Sequence, residues 1–134
     1  MVDPHTKTGG RMKKFDDSIP IYLQIKEEIE NAVIKGTLKE DEAIPSIRVL
    51  AQQYRLNPQT ISSAFSELLN ENILFKKRGI GMFVQNGAKK ILIKKKQIEF
   101  RENIFQTILQ KGKTINISKD EMIDTINKFF EENK

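Results

Sequence analysis

The chain has 134 residues, no cysteine, one histidine, 31% charged residues and a formal net charge of +5. At about 100 to 200 residues per domain there is room for one small domain and an appendage. Aliphatic runs such as Ile91-Leu92-Ile93 fall far short of the roughly 20 apolar residues that span a bilayer, which excludes a transmembrane helix, and the absence of cysteine excludes a disulfide framework or a thiolate metal site.

No apolar stretch follows the first charges, so the amino end does not read as a secretory signal, and an intracellular, cytoplasmic protein is the expectation. The charge is uneven: residues 1–45 carry a net −2, residues 46–96 a net +8 with Glu67 and Glu71 as their only acids, and residues 97–134 a net −1. A basic middle between mildly acidic ends is the footprint of a polyanion-binding surface. Charge alone supports a solvated lysine face equally well.

Residues 1–11 have no periodicity, contain the only histidine, His5, and precede a second methionine at position 12. They read as an expression scar or a disordered arm. From Ser18, read as a cap, a first helix is expected to run to Gly36, with Ile21, Ile25, Ile29, Ala32 and Val33 on one face and Glu27, Glu28 and Glu30 on the exposed side. Residues 37–45 read as a loop. Ser46 then caps a short second helix over 47–54, with Ile47, Leu50, Ala51 and Tyr54 in a stripe and Arg48 off it. After a turn at Arg55-Leu56, Asn57 and Pro58 form the strongest helix start in the chain, a capping side chain followed by a residue suited to the first helical position. The third helix runs to about Asn70, with Ile61, Ala64, Phe65, Leu68 and Leu69 inward and Gln59, Ser62, Ser63 and Ser66 outward. Its start is expected to offer free backbone NH groups and a positive dipole end to a phosphate.

Two short apolar-aromatic runs then flank Arg78-Gly79-Ile80-Gly81, which predicts a β-hairpin with a basic tip. The Gly79-x-Gly81 pair fits a dinucleotide loop poorly, because a strand follows the glycines where the fingerprint needs a helix and the third glycine is missing. Residues 87–96 hold five lysines around Ile91-Leu92-Ile93 and read as a short strand or a connector. A helix is expected from about Ile98 to Lys111, stopped by Gly112, and Ser118-Lys119-Asp120-Glu121 is a capping box with Ile117 and Met122 as a hydrophobic staple. These two helices carry more apolar surface than they can hide against each other, so a second copy of the tail is the expected cover, through Ile104, Phe105, Ile108, Ile126, Phe129 and Phe130. The predicted fold is mainly α with a small β-hairpin: a winged helix-turn-helix domain over 12–86, a basic connector over 87–97 and a two-helix dimerisation tail over 98–134.

Four motifs occur in order: Pro20-Ile21-Tyr22-x-Gln24-Ile25, Ile44-Pro45-Ser46-Ile47-Arg48-x-Leu50-Ala51, Asn57-Pro58-Gln59-Thr60-Ile61-x-x-Ala64-Phe65-x-x-Leu68, and Arg78-Gly79-x-Gly81-x-Phe83-Val84. Together they make residues 19–85 resemble the DNA-binding domain of the GntR family of bacterial transcription regulators. The short helical tail resembles the YtrA subfamily. The resemblance implies DNA contacts at Arg48, Asn57, Gln59, Thr60, Ser62, Ser63, Arg78 and Gly79; beside them, Lys76 and Lys77 on the basic hairpin are expected to follow the flanking backbone or enter a minor groove. It also implies a homodimer on a palindromic operator, repression of a nearby operon such as one for an ABC transporter, and no cofactor. Relative to the family pattern, Ser62 and Ser63 stand where many members have a cation, and Arg55 stands where glycine is usual. Affinity should therefore come from the wing and the lysine-rich connector. Any small-molecule effector would bind at the dimer interface or between tail and winged domain.

Two other readings compete. A non-specific nucleic-acid or chromosome-organising protein would use the same lysines, and a winged-helix protein-interaction module would bind no DNA. An enzyme is the weakest reading, for no catalytic or metal-binding constellation stands outside solvated faces and loops.

Overall fold

The computed structural model describes residues 15–134. The expected scar or arm over 1–11, the domain start at Met12 and the lone His5 lie outside the described residues. The chain divides into two compact units, one ending at Ile93 and one spanning Lys94–Lys134.

In the first unit, α1 (Ile21–Lys35) begins two residues later than expected. Ser18 is not its cap; Pro20 holds that position, and Ser18 instead donates from its backbone NH and its hydroxyl to Asp16 Oδ1 at 2.8 and 2.7 Å. Gln24 ties the lead-in down by donating to the Ile19 carbonyl at 2.9 Å. Gly36, at φ +87, ends the helix in the left-handed conformation that glycine adopts without a Cβ penalty. Ile25, Ile29 and Val33 are buried as the spacing predicts, but Glu30, expected on the solvent side, is only 3% exposed. It lies one turn beyond Lys26, whose ammonium pairs with Glu67 and Glu71.

α2 (Ile47–Tyr54) and α3 (Pro58–Asn70) form as predicted. Ser46 Oγ accepts from the Val49 NH at 3.1 Å, and the Asn57 side chain accepts from the Gln59 NH at 2.8 Å. Between the two helices Arg55 takes φ +57, which explains why glycine suits this turn. β1 (Leu74–Lys77) and β2 (Gly81–Val84) pair antiparallel, with Leu74 opposite Val84 and Lys77 opposite Gly81. The segment expected as a plain loop before α2 lies along the other edge of β2. There the Ile44 NH donates to the Met82 carbonyl at 2.9 Å, and the Val84 NH donates to the Glu42 carbonyl at 3.0 Å. An unpaired strand edge demands such partners, and residues 41–44 supply them.

Ile61, Phe65 and Leu68 of α3 fill the centre of the core between α1, α2 and the hairpin. Residues 87–96 are neither strand nor irregular connector. From Ala88 onward they fall within α4 (Ala88–Glu99), because Ala88 and Leu92, one turn apart, both insert into this core.

The second unit takes in the end of α4, a π-helical turn over Phe100–Ile104, α5 (Phe105–Thr114) and α6 (Lys119–Glu132). No helix start appears at Ile98, and Gly112 does not stop α5. The helix runs on to Thr114, and Asn116, at φ +66, supplies the reversal while the Ile117 NH bonds back to the Gly112 carbonyl. Gly112 serves packing: a Cβ there would stand 2.6 Å from Met122 Cε, so α5 and α6 approach each other closely at this point. The capping box forms in full, Ser118 Oγ accepting from the Glu121 NH and Glu121 Oε1 from the Ser118 NH. Unlike the first unit, this one buries none of its residues.

Candidate nucleic-acid interface

Three segments of the first unit carry the predicted contact residues. At the start of α2, Arg48 is exposed, two residues past the Ser46 cap. At the start of α3, Asn57 and Gln59 are exposed, while Thr60, Ser62 and Ser63 are half-buried, so their hydroxyls sit at the base of the surface rather than projecting from it. The expected free NH groups of this helix start are occupied: Asn57 takes the Gln59 NH through its side chain and the Thr60 NH through its carbonyl. What the helix start offers an anion is its dipole, with contacts made by side chains.

The wing is a tight turn in which the Ile80 NH donates to the Lys77 carbonyl at 2.9 Å. Gly79 takes φ +76, the sign a type II turn needs at its third position, although a Cβ would meet nothing within 4 Å. Its glycine is therefore a backbone requirement. Arg78 and Lys77 are both exposed at this turn, but differ in freedom. The Lys77 ammonium sits 4.3 Å over the Phe83 ring, which stacks on Phe75 across the strands at 5.6 Å. A cation held on an aromatic face is oriented before any polyanion arrives. Ile80, 73% exposed at the wing tip, escaped sequence reasoning; its signal was an aliphatic residue inside a Gly-x-Gly turn with no periodic partner.

Also missed was an acidic clasp behind the wing. Glu40 accepts from the Gly87 NH and the Lys89 NH, each at 3.0 Å, and so caps the start of α4 from a loop more than forty residues earlier. These two bonds, the Gly87 one foremost, hold the Glu40 carboxyl below its usual value. Beside it the Asn86 side-chain amide donates to Asp41 at 2.9 Å. No local spacing rule could reveal a cap this distant.

In the second unit, Ile104, Ile108, Ile126, Phe129 and Phe130 are exposed, as a face awaiting cover would be, and Phe105 is half-buried against Phe100. Among the described residues no helix is long and apolar enough to cross a membrane.

Helix, capped helix, turn, long third helix and basic hairpin define a winged helix-turn-helix domain. The description "Bacterial regulatory proteins, gntR family" matches residues 21–84. The transcriptional repressor YtrA of Bacillus subtilis is 36% identical over 92 residues, which cover 69% of this chain and 71% of the repressor. A GntR family transcriptional regulator from Listeria monocytogenes superposes with a TM-score of 0.69 at 29% identity, over 85% of this chain and 98% of that one. The DNA-binding domain of AraR, solved in complex with operator ORX1, superposes with a TM-score of 0.51 at 30% identity, over 55% of this chain and 93% of that domain. The chain belongs to the GntR family of bacterial regulatory proteins. It is a transcription regulator and not an enzyme.

Proposed function

We propose that the protein is a homodimeric, sequence-specific repressor that binds a palindromic operator. The observation that carries the reading is the display of Arg48, Asn57 and Gln59 at two adjacent helix starts, in the same unit as a wing bearing Lys77 and Arg78. α3 lies in the major groove in this reading. There Gln59 pairs with an adenine edge, Ser62, Ser63 and Thr60 make short hydroxyl contacts, and Arg48 neutralises phosphate or reads guanine. Lys77, Arg78 and the Gly79 backbone follow the flanking strand. The DNA-binding domain of AraR, similar in fold, is solved in complex with an operator, which supports operator DNA as the ligand.

The tail supplies the second copy. A small unit that buries none of its own residues while exposing Ile108, Phe129 and Phe130 gains most by pairing with an identical face. Similarity to YtrA supports repression, and regulation of a nearby operon, such as one for an ABC transporter, follows by analogy with the subfamily. The partners are double-stranded DNA and a second chain, which places the protein in the cytoplasm with the chromosome; a small-molecule effector would take the dimer or inter-domain interface, with no cofactor in the binding step.

The test is selection from randomised duplexes at near-physiological salt. An enriched inverted repeat is expected. Strong but unselective retention would favour the lysine-driven, non-specific reading, whose observable basis is the exposed Lys89 and Lys90.

A further inference from the structure

We infer that the cleft between α1 and α2 is a binding site for a small organic cation, an ammonium group carried on a compact apolar body. The site lies wholly within the winged unit. The inference therefore stands apart from the dimeric reading and from the effector location given above.

α1 and α2 each pack chiefly on α3 rather than on one another, and the space left between them is a half-open cleft of about 220 Å³. Its walls are held by bonds already in place. After Gly36 turns the chain at the end of α1, the Leu38 NH donates to the Ala32 carbonyl at 3.1 Å and folds the loop back along the helix. On the other side the Ile44 NH is bonded to the Met82 carbonyl, and Ser46 caps α2. The cavity is thus formed before any ligand arrives, as small-molecule sites usually are. Ala32 keeps it open, because a longer side chain at this lining position would enter the space.

The lining combines two chemistries. Its deep part is aliphatic, built by the buried Ile29, Ile44 and Leu50. An apolar cavity of roughly 150 Å³ accepts a benzene-sized molecule, so this cleft suits a body slightly larger than that and smaller than a drug-sized ligand. The polar part lies nearer solvent: Thr37 and Gln53 are exposed, and Glu28 and Tyr54 are half-buried. Among the described residues that line the cleft, Glu28 is the only charged one, and none is lysine or arginine. A carboxylate beside an aliphatic floor attracts a cation more strongly as water is displaced, and it repels an anion of the same shape. The Tyr54 hydroxyl and the Gln53 amide oxygen are acceptors suited to the remaining ammonium protons. α2 is at once a wall of this cleft and the carrier of Arg48, so a ligand seated here touches the helix that serves the DNA surface.

The experiment titrates the full chain with phenethylammonium, phenethyl alcohol and phenylacetate, probes of nearly one shape that are cationic, neutral and anionic, and follows backbone amide NMR shifts. The ammonium probe is expected to give saturable shifts at Ala32, Leu38 and Leu50, the alcohol to bind about five- to tenfold more weakly, and phenylacetate to give none. Glu28→Gln should bring the ammonium down to the affinity of the alcohol with the fold unchanged. Ala32→Leu, which fills the cleft, should weaken both by about tenfold. Equal binding of the three probes, a cation preference that survives Glu28→Gln, or no response at these amides to millimolar ammonium probe would each overturn the inference. Should Ala32→Leu fail to fold, Glu28→Gln decides alone. Shifts at the same amides that follow protein concentration in the absence of probe would assign the cleft to a second copy of the chain, and would overturn it as well.

Discussion

The two units solve the same problem in opposite ways. The winged unit closes its own core: Ile25, Ile61, Phe65 and Leu68 are almost entirely shielded by α1, α2, the hairpin and the first turns of α4. The tail has helices just as well capped, yet none of its residues is buried, and Ile115, Phe129 and Phe130 stand more than half exposed. Local helix signals are therefore equally good in both regions, and what differs is whether the chain can bury the apolar stripe those helices create. Stability in the head is a property of one chain; in the proposed dimer, that of the tail becomes a property of two.

The largest effect that would sharpen this contrast is in the head. Phe65→Ala empties the centre of a closed core and should cost about 3–5 kcal/mol of unfolding free energy in urea titration. A loss below about 1 kcal/mol would show that the core is looser than its burial indicates. In the tail, Phe130→Asp should leave the melting of the head intact while weakening dimerisation by about 2 kcal/mol or more in sedimentation equilibrium, since it places a charge on the face to be covered. A dimer that survives it would move the contact elsewhere. Smaller still, Arg48→Ala should lower operator affinity by about 1–3 kcal/mol with the fold unchanged, measured by anisotropy on a fixed duplex. Unchanged binding would remove Arg48 from the interface.

Local signals account for what the sequence made legible. Ser46, Asn57-Pro58 and Ser118 through Glu121 each placed a helix start to the residue, because a cap is written within four positions. The hairpin was equally local. Misreadings arose where the deciding partner is distant in the chain. Residues 87–96 looked like a connector because the core that receives Ala88 and Leu92 is assembled from segments far upstream. Glu30 looked solvated because nothing nearby in the sequence reveals that its side of α1 is covered. The segment paired along the second edge of β2 and the Glu40 clasp were hidden for the same reason, being pairings across about forty residues. Of the candidate contacts, exposure at Arg48, Gln59 and Arg78 agrees with the reading from pattern, whereas the seating of Lys77 on two rings required the strand register.

In the proposed dimer, one chain supplies a complete reading head and half of the interface. Sedimentation equilibrium of the protein with its selected duplex tests both halves at once, by counting chains per DNA. Two chains on each inverted repeat, bound together with no singly occupied species at micromolar concentration, is the predicted result. One chain per duplex at every concentration, with the free protein monomeric, would contradict it.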